Sequence, residues 1–299
     1  MTTYHHVTEE LHTIRDWLRF AVSQFEASDI FFGHGTDNAY DEAVWLILSA
    51  LHLPHDTLNN FLDARLTSTE RNKLADFIAQ RIMQHKPTAY LVKEAWLQGF
   101  KFYVDERVIV PRSFIAELLS EDLAPWVEFP EMIESAADIC TGSGCLGILL
   151  ANSFPNAMID VVDISQDAID VANINIQNYG LQEQITAVKS DMFSALKGKK
   201  YDLIISNPPY VDAPSMATLP AEYRNEPQIA LGSGDAGLDH THTLLREAAE
   251  HLTDDGLLIV EIGHNRDALL EAYPNLPFTW LEVSSGNQFV FLLTKSQLE

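Results

Sequence analysis

From about residue 136 to the C-terminus, apolar β-branched runs alternate with helical stretches, and no other feature constrains the fold of this chain as much. The runs 137–140 (ADIC), 158–164 (MIDVVDI), 185–191 (ITAVKSD), 201–207 (YDLIISN), 256–263 (GLLIVEIG), 278–284 (FTWLEVS) and 288–294 (QFVFLLT) read as strands. Helical patterns over 165–179 and 239–252 separate several of them. Alternation of this kind predicts an α/β domain with a mostly parallel sheet, because parallel neighbours need a covering crossover. Only Ser285, Gly286 and Asn287 part the last two runs, which predicts an antiparallel hairpin at the end of the sheet.

The chain upstream has a different period. Val7, Leu11, Ile14, Leu18, Val22 and Phe25 recur at helical spacing, with Thr8 as the expected N-cap. Further helices are expected over 37–52 and 68–86, the latter ended by Pro87. The aromatic, β-branched stretch 88–110 with its turn signal at Gly99 predicts a β-hairpin connector, and Pro111 opens a helix over 112–124. The expected organisation is a helical domain at 1–86 that recognises substrate, a connector at 87–110 and a catalytic domain at 111–299.

Two motifs carry chemistry. In SAADICTGSGCLGILLA (135–151) a strand runs into a glycine turn and then an apolar helix, and Gly142, Gly144 and Gly147 fit GxGxxG in that context. Asp163 follows Gly142 by 21 residues at the end of the next strand, where a carboxylate can accept ribose hydroxyls. This pattern indicates an adenosine-containing ligand without specifying which. A second GxGxxG match, GSGDAG at 232–237, lies inside the irregular stretch 211–236 and reads as a loop turn. The other motif is NPPY, 207–210, directly after YDLIIS. It places an amide side chain and a proline carbonyl at the C-terminal end of a central strand, where open α/β sheets bind ligands. Both are acceptors that can hold a planar NH2 group. Pro208 and Pro209 stiffen the turn and Tyr210 adds an aromatic wall.

With these residues in view, the chain resembles the class I S-adenosylmethionine-dependent methyltransferases that act on amino groups. FKFYVDERVIVPRSFIAELL (100–119), CTGSGC (140–145), SDMF (190–193), NPPY (207–210) and LPAEYRNEP (219–227) are similar to the protein-(glutamine-N5) methyltransferases. Within them the branch acting on ribosomal protein L-three matches best, through Ser113-Phe114-Ile115-Ala116-Glu117 and a glycine turn that begins at Cys140. Asn225 and Ala236 depart from the branch pattern. The resemblance implies a Rossmann-like domain whose seven-stranded sheet has its last strand antiparallel. It implies S-adenosyl-L-methionine as cofactor, with S-adenosyl-L-homocysteine as product. Cys140, Thr141, Gly142, Ser143 and Gly144 would pass along its methionine and ribose, Asp163 would take the ribose hydroxyls, and Asp191 and Met192 would address the adenine. Asn207, Pro208, Pro209 and Tyr210 would hold the target amide, with Asn207, Pro208 and Tyr210 catalytic and Asn207 also bordering the cofactor. The alternatives are methylation of peptide chain release factors, N6-methylation of a nucleic-acid adenine, and a ribosome-assembly module without turnover.

Charge separates these readings. The 299 residues hold 19 Lys and Arg against 43 Asp and Glu, a formal charge of −24. Such a surface disfavours a phosphate backbone and favours a basic protein partner. Cys140 and Cys145 offer neither a disulfide framework nor a metal-ligand spacing, so no metal is expected. No apolar run reaches the roughly 18 residues of a membrane span, and the start of the chain lacks a secretory pattern, so a cytoplasmic protein is expected.

Overall fold

The structure is a computed structural model describing residues 4–299, so the first three residues of the expected helical region lie outside it. The chain divides into two units. One holds the chain up to Ala95 with Val104–Glu106 and Pro220–Glu226; the other holds Trp96–Tyr103, Arg107–Leu219 and Pro227–Glu299.

The first unit is built on helices Ile14–Glu26, Ala39–Ala50 and Ser68–Met83. Thr13, not Thr8, caps the first. Its side chain accepts from the Asp16 N–H while the Asp16 carboxylate accepts from the Thr13 N–H at 2.8 Å. This reciprocal box satisfies two end groups at once; Thr8 instead follows a 3₁₀ turn and donates its hydroxyl to His5 O. Thr67 and Glu70 form a second box at the helix 68–83. Trp17, Phe25, Leu46, Ile47, Leu74 and Ile78 fill the core.

A buried cation organises one side of this unit. Arg81 Nε donates to Glu42 Oε1 at 2.5 Å, Nη1 to Glu222 Oε1 at 2.9 Å and Nη2 to Phe31 O at 2.7 Å. All three charged side chains are buried. Burial opposes ionisation of Glu222, but the guanidinium and the Phe31 N–H overcome it and hold the carboxyl below its usual range. The interaction explains why Pro220–Glu226, expected within 111–299, packs into the first unit. Thr88 also donates to Glu42, and Thr88–Val92 forms a short helix where an extended strand was expected. Burial of Thr88, Ala89, Tyr90 and Leu91 outweighs the β-propensity of that stretch.

The strands are β1 (Ala95–Leu97), β2 (Phe100–Phe102), β3 (Ser135–Ile139), β4 (Met158–Asp163), β5 (Ile185–Lys189), β6 (Tyr201–Ser206), β7 (Leu252–Glu261), β8 (Thr279–Trp280) and β9 (Val290–Thr294). β1 and β2 pair alone, so the hairpin is shorter than 88–110. The other seven form one sheet in the order β5-β4-β3-β6-β7-β9-β8. Its first five members are parallel, and β9 runs antiparallel to both β7 and β8. The α/β class and the antiparallel end agree with the sequence reading. The helix expected over 112–124 shrinks to Ile115–Leu119, and the strand over 278–284 to Thr279–Trp280. Ile139 is level with Val162 on one side and Ser206 on the other, and Asp163 with Lys189. The loops after β3, β4, β5 and β6 therefore leave one edge of the sheet side by side.

Replacing Arg81 with Met should destabilise the protein by about 3–5 kcal/mol, because two carboxylates stay buried without their cation. Urea unfolding at neutral pH measures this; an unchanged midpoint would show that the ion pair is dispensable.

Candidate active site

At the end of β3 the backbone enters the left-handed region at Cys140 (φ 64°), Gly142 (φ 57°) and Gly144 (φ 79°) before helix Cys145–Ser153 begins. A Cβ on Gly142 would meet no protein atom within 4 Å, so the turn keeps open space beside it. Gly147 serves packing: a Cβ there would stand 2.2 Å from Val161 Cγ1, so only glycine lets the helix lie this close to β4. Asp138 Oδ2 accepts from the Thr141 hydroxyl at 2.5 Å and the Gly147 N–H at 3.0 Å, tying strand, turn and helix together. Its Oδ1 is buried without a partner. Burial pushes the Asp138 carboxyl up to about 7, against these two hydrogen bonds. Asn175, fully buried on helix Gln166–Tyr179, donates to Ser143 O at 2.8 Å and fixes the far side of the turn.

Asp163 closes the next position along the edge. Oδ2 accepts from the Gly142 N–H at 3.0 Å and Oδ1 from the Ser165 N–H at 2.9 Å. Burial raises its pKa, opposed by these N–H groups. Each oxygen retains acceptor capacity, since a carboxylate has about four lone-pair sites. Beyond β5, Met192 (φ 45°) lies with its Sδ 3.8 Å from Cys140 Sγ.

After β6, Asn207 Nδ2 donates to the carbonyl of Arg112 at 3.0 Å. A carbonyl can only accept, so this bond fixes the amide's orientation. The other end, Oδ1, is buried and has no partner. Behind it the Glu261 carboxylate, at the end of β7, accepts from Ser113 Oγ at 2.6 Å, Phe114 N at 2.9 Å and Tyr210 Oη at 3.4 Å. Burial drives Glu261 up to about 7, and these donors pull it down.

These elements surround one cleft. Cys140, Thr141, Gly142, Ser143, Asp163, Asp191, Met192, Asn207 and Pro209 line it. Gly144, Pro208 and Tyr210 do not. Gly144 lies behind the turn against Ala172. The Tyr210 ring packs beside Gly263, with its hydroxyl toward Glu261.

Residues 117–220 match the family described as Methyltransferase small domain. The chain is 57% identical over 295 residues to the ribosomal protein uL3 glutamine methyltransferase of Neisseria gonorrhoeae, covering 99% of this chain and 98% of that protein. It is 51% identical to the Bordetella pertussis protein of the same name, covering 97% of each. The chain belongs to the ribosomal protein uL3 glutamine methyltransferase family. The solved catalytic domain of hMettl16 in complex with an RNA hairpin is 16% identical, with a TM-score of 0.50, covering 80% of this chain and 84% of that one. That likeness speaks for the class I methyltransferase fold alone.

Within this methyltransferase, several cleft residues were not singled out as site residues from the sequence: Arg107, Pro111, Arg112, Ile229 and His240. They come from irregular segments, a short 3₁₀ turn or a helix start, not from the glycine turn or NPPY. His240 bonds Ser233 through Nδ1 at 2.7 Å, and burial lowers its pKa. GSGDAG is the loop holding that serine. Among the described residues no group of acids, histidines and cysteines could hold a metal, and no helix is long and apolar enough to cross a membrane.

Asp138 and Glu261 hold their protons more tightly when folded than when unfolded, since both are raised to about 7 from 3.8 and 4.5. Their contribution to stability therefore falls as pH rises from about 4 to 7 and is level above that. Asp138→Asn should flatten part of this fall in urea midpoints taken across that range. An unchanged slope would mean the buried acid does not titrate there.

Proposed function

We propose that this protein transfers a methyl group from S-adenosyl-L-methionine to the side-chain amide nitrogen of a glutamine in ribosomal protein uL3. The observation that carries the reading is the buried, unpartnered Asn207 Oδ1 at the end of β6. It is a preoriented acceptor on the wall of the cleft, and its natural complement is an N–H brought in by a ligand. The names of the relatives supply the substrate class.

The cleft suits the donor. The glycine turn leaves open space at Gly142, and Asp163 is held by two backbone N–H groups with lone pairs to spare. Cys140 to Ser143 would run along the methionine and ribose, Asp163 would accept the ribose hydroxyls, and Asp191 and Met192 would border the adenine. When bound there, the donor supplies a methyl group made electrophilic by a sulfonium. Asn207 Oδ1 would accept one amide hydrogen of the target, and the Pro208 carbonyl, at the bond between Pro208 and the cleft-lining Pro209, would accept the other. An amide nitrogen is a weak nucleophile because its lone pair is delocalised, so fixing its direction matters; orientation can lower a barrier by up to roughly 7–11 kcal/mol. The same acceptors stabilise positive charge growing on nitrogen in the transition state. The −24 charge favours a basic ribosomal protein over a nucleic acid.

Incubation with labelled methyl donor and purified uL3 or release factor, followed by peptide mapping, tests the reading. The label should appear on one uL3 glutamine. Label on the release factor alone would replace the substrate, and none on either would remove the activity.

Asn207→Ala should lower kcat about a hundred- to thousandfold, the ~2.7–4 kcal/mol typical of a lost preorganised group. Cofactor affinity by calorimetry should change little. A near wild-type kcat would remove Asn207 from the site. Raising salt should lower kcat/KM where association limits it, because salt screens attraction between this acidic enzyme and a basic partner; a flat profile would argue against electrostatic steering.

A further inference from the structure

We infer that Glu261 is a positioning residue, which holds the Asn207 amide in its reactive orientation through the Ser113–Phe114 backbone. The inference rests on the proposed role of Asn207. It adds a residue that does not line the cleft and lies 54 positions away from Asn207 in the sequence.

The argument follows the hydrogen bonds outward from the reacting atom. Asn207 Oδ1 has no protein partner, so nothing on that side of the amide fixes it. The whole orientation depends on Nδ2 donating to Arg112 O. That carbonyl lies in a segment with little regular structure, between Pro111 and the short helix Ile115–Leu119. One carboxylate grips the segment at two successive residues. Glu261 Oε2 accepts both the Ser113 hydroxyl and the Phe114 N–H, while Ser113 Oγ accepts from Ile115 N at 3.1 Å. The Arg112 carbonyl is bonded to the Ser113 nitrogen, so holding Ser113 and Phe114 sets its direction. The other oxygen of Glu261 faces the Tyr210 hydroxyl, three residues after Asn207. One buried side chain thus grips both strands of backbone that meet at the amide. Glu261 is itself rigid, being at the end of β7, where Glu261 pairs with Val290 of β9.

A carboxylate that only stabilised the fold would affect activity equally with or without Asn207. A positioning residue acts through Asn207, so its removal matters only while Asn207 is present. Glu261→Ala should lower kcat roughly tenfold to a hundredfold, the scale of a slightly misplaced catalytic group. Binding of S-adenosyl-L-homocysteine by calorimetry should stay within about twofold, since Glu261 is outside the cleft lining. In an Asn207→Ala background the same change should cost less than threefold by the non-additivity of coupled groups. Glu261→Gln keeps an oxygen that accepts from Ser113 and Phe114, and should recover most of the activity. Ser113→Ala removes one arm only and serves where Glu261→Ala folds poorly.

A readout independent of turnover separates this inference from the proposed function. The Asn207 side-chain NH2 protons should exchange slowly in the wild-type protein by NMR, and faster in Glu261→Ala and Ser113→Ala. Unchanged exchange in both variants, or an equal kcat loss in the two backgrounds, overturns the positioning role. Slow exchange relieved by the variants supports it even if wild-type protein fails to methylate uL3.

Discussion

The candidate site depends on the parallel pairing of β3 with β6. Here the strand order reverses direction: β4 and β5 continue on one side of β3, and β6 and β7 on the other. At the last paired position Ser206 Oγ donates to Ile139 O at 2.6 Å, locking the ends of the two strands level. The very next residues are Cys140 and Asn207, the first of the glycine turn and the first of NPPY. A slip of one residue along this pair would turn inward-facing side chains outward and separate these turns. The glycine turn and NPPY are therefore brought together by sheet register before any side chain at the site is considered.

Around that edge, the buried acids divide the work of holding the loops. Asp138 receives the turn after β3, Asp163 links that turn to the loop after β4, and Glu261 receives the segment that crosses behind Asn207. Each accepts backbone N–H groups that loops would otherwise leave unsatisfied. The arrangement costs desolvation of the carboxylates, visible in the raised pKa values of all three. It gives a cleft whose walls are irregular backbone yet held from behind.

What could be read from the sequence was what is encoded locally. The glycine turn, Asp163 and NPPY each sit at a strand end, and a short window around each contains its own strand, turn and helix signals. The parts that could not be read depend on partners far along the chain. Glu261 looks like an ordinary end of an apolar run, and only folding shows that it faces Ser113, 148 residues earlier. Arg112 acts through its carbonyl, which no side-chain pattern marks. Thr8 and Thr13 both precede the first helix, and helical periodicity through Val7 and Leu11 favours Thr8; the capping box at Thr13 and Asp16 sets the boundary instead. Thr88–Val92 is rich in residues that suit strands, yet its burial and its bond to Glu42 make it helical.

The segment Pro220–Glu226 has a consequence for how the molecule is made. It belongs to the first unit, while the residues on both sides of it belong to the second. The carboxylate that completes the pairing of Arg81 is therefore synthesised 141 positions after its partner. During translation the N-terminal helices can form, but of its two carboxylate partners the Arg81 cation has only Glu42 until residue 222 has left the ribosome. The unit that emerges first thus stays unfinished until much of the second has been made, and a boundary drawn anywhere between 107 and 219 would cut it in two.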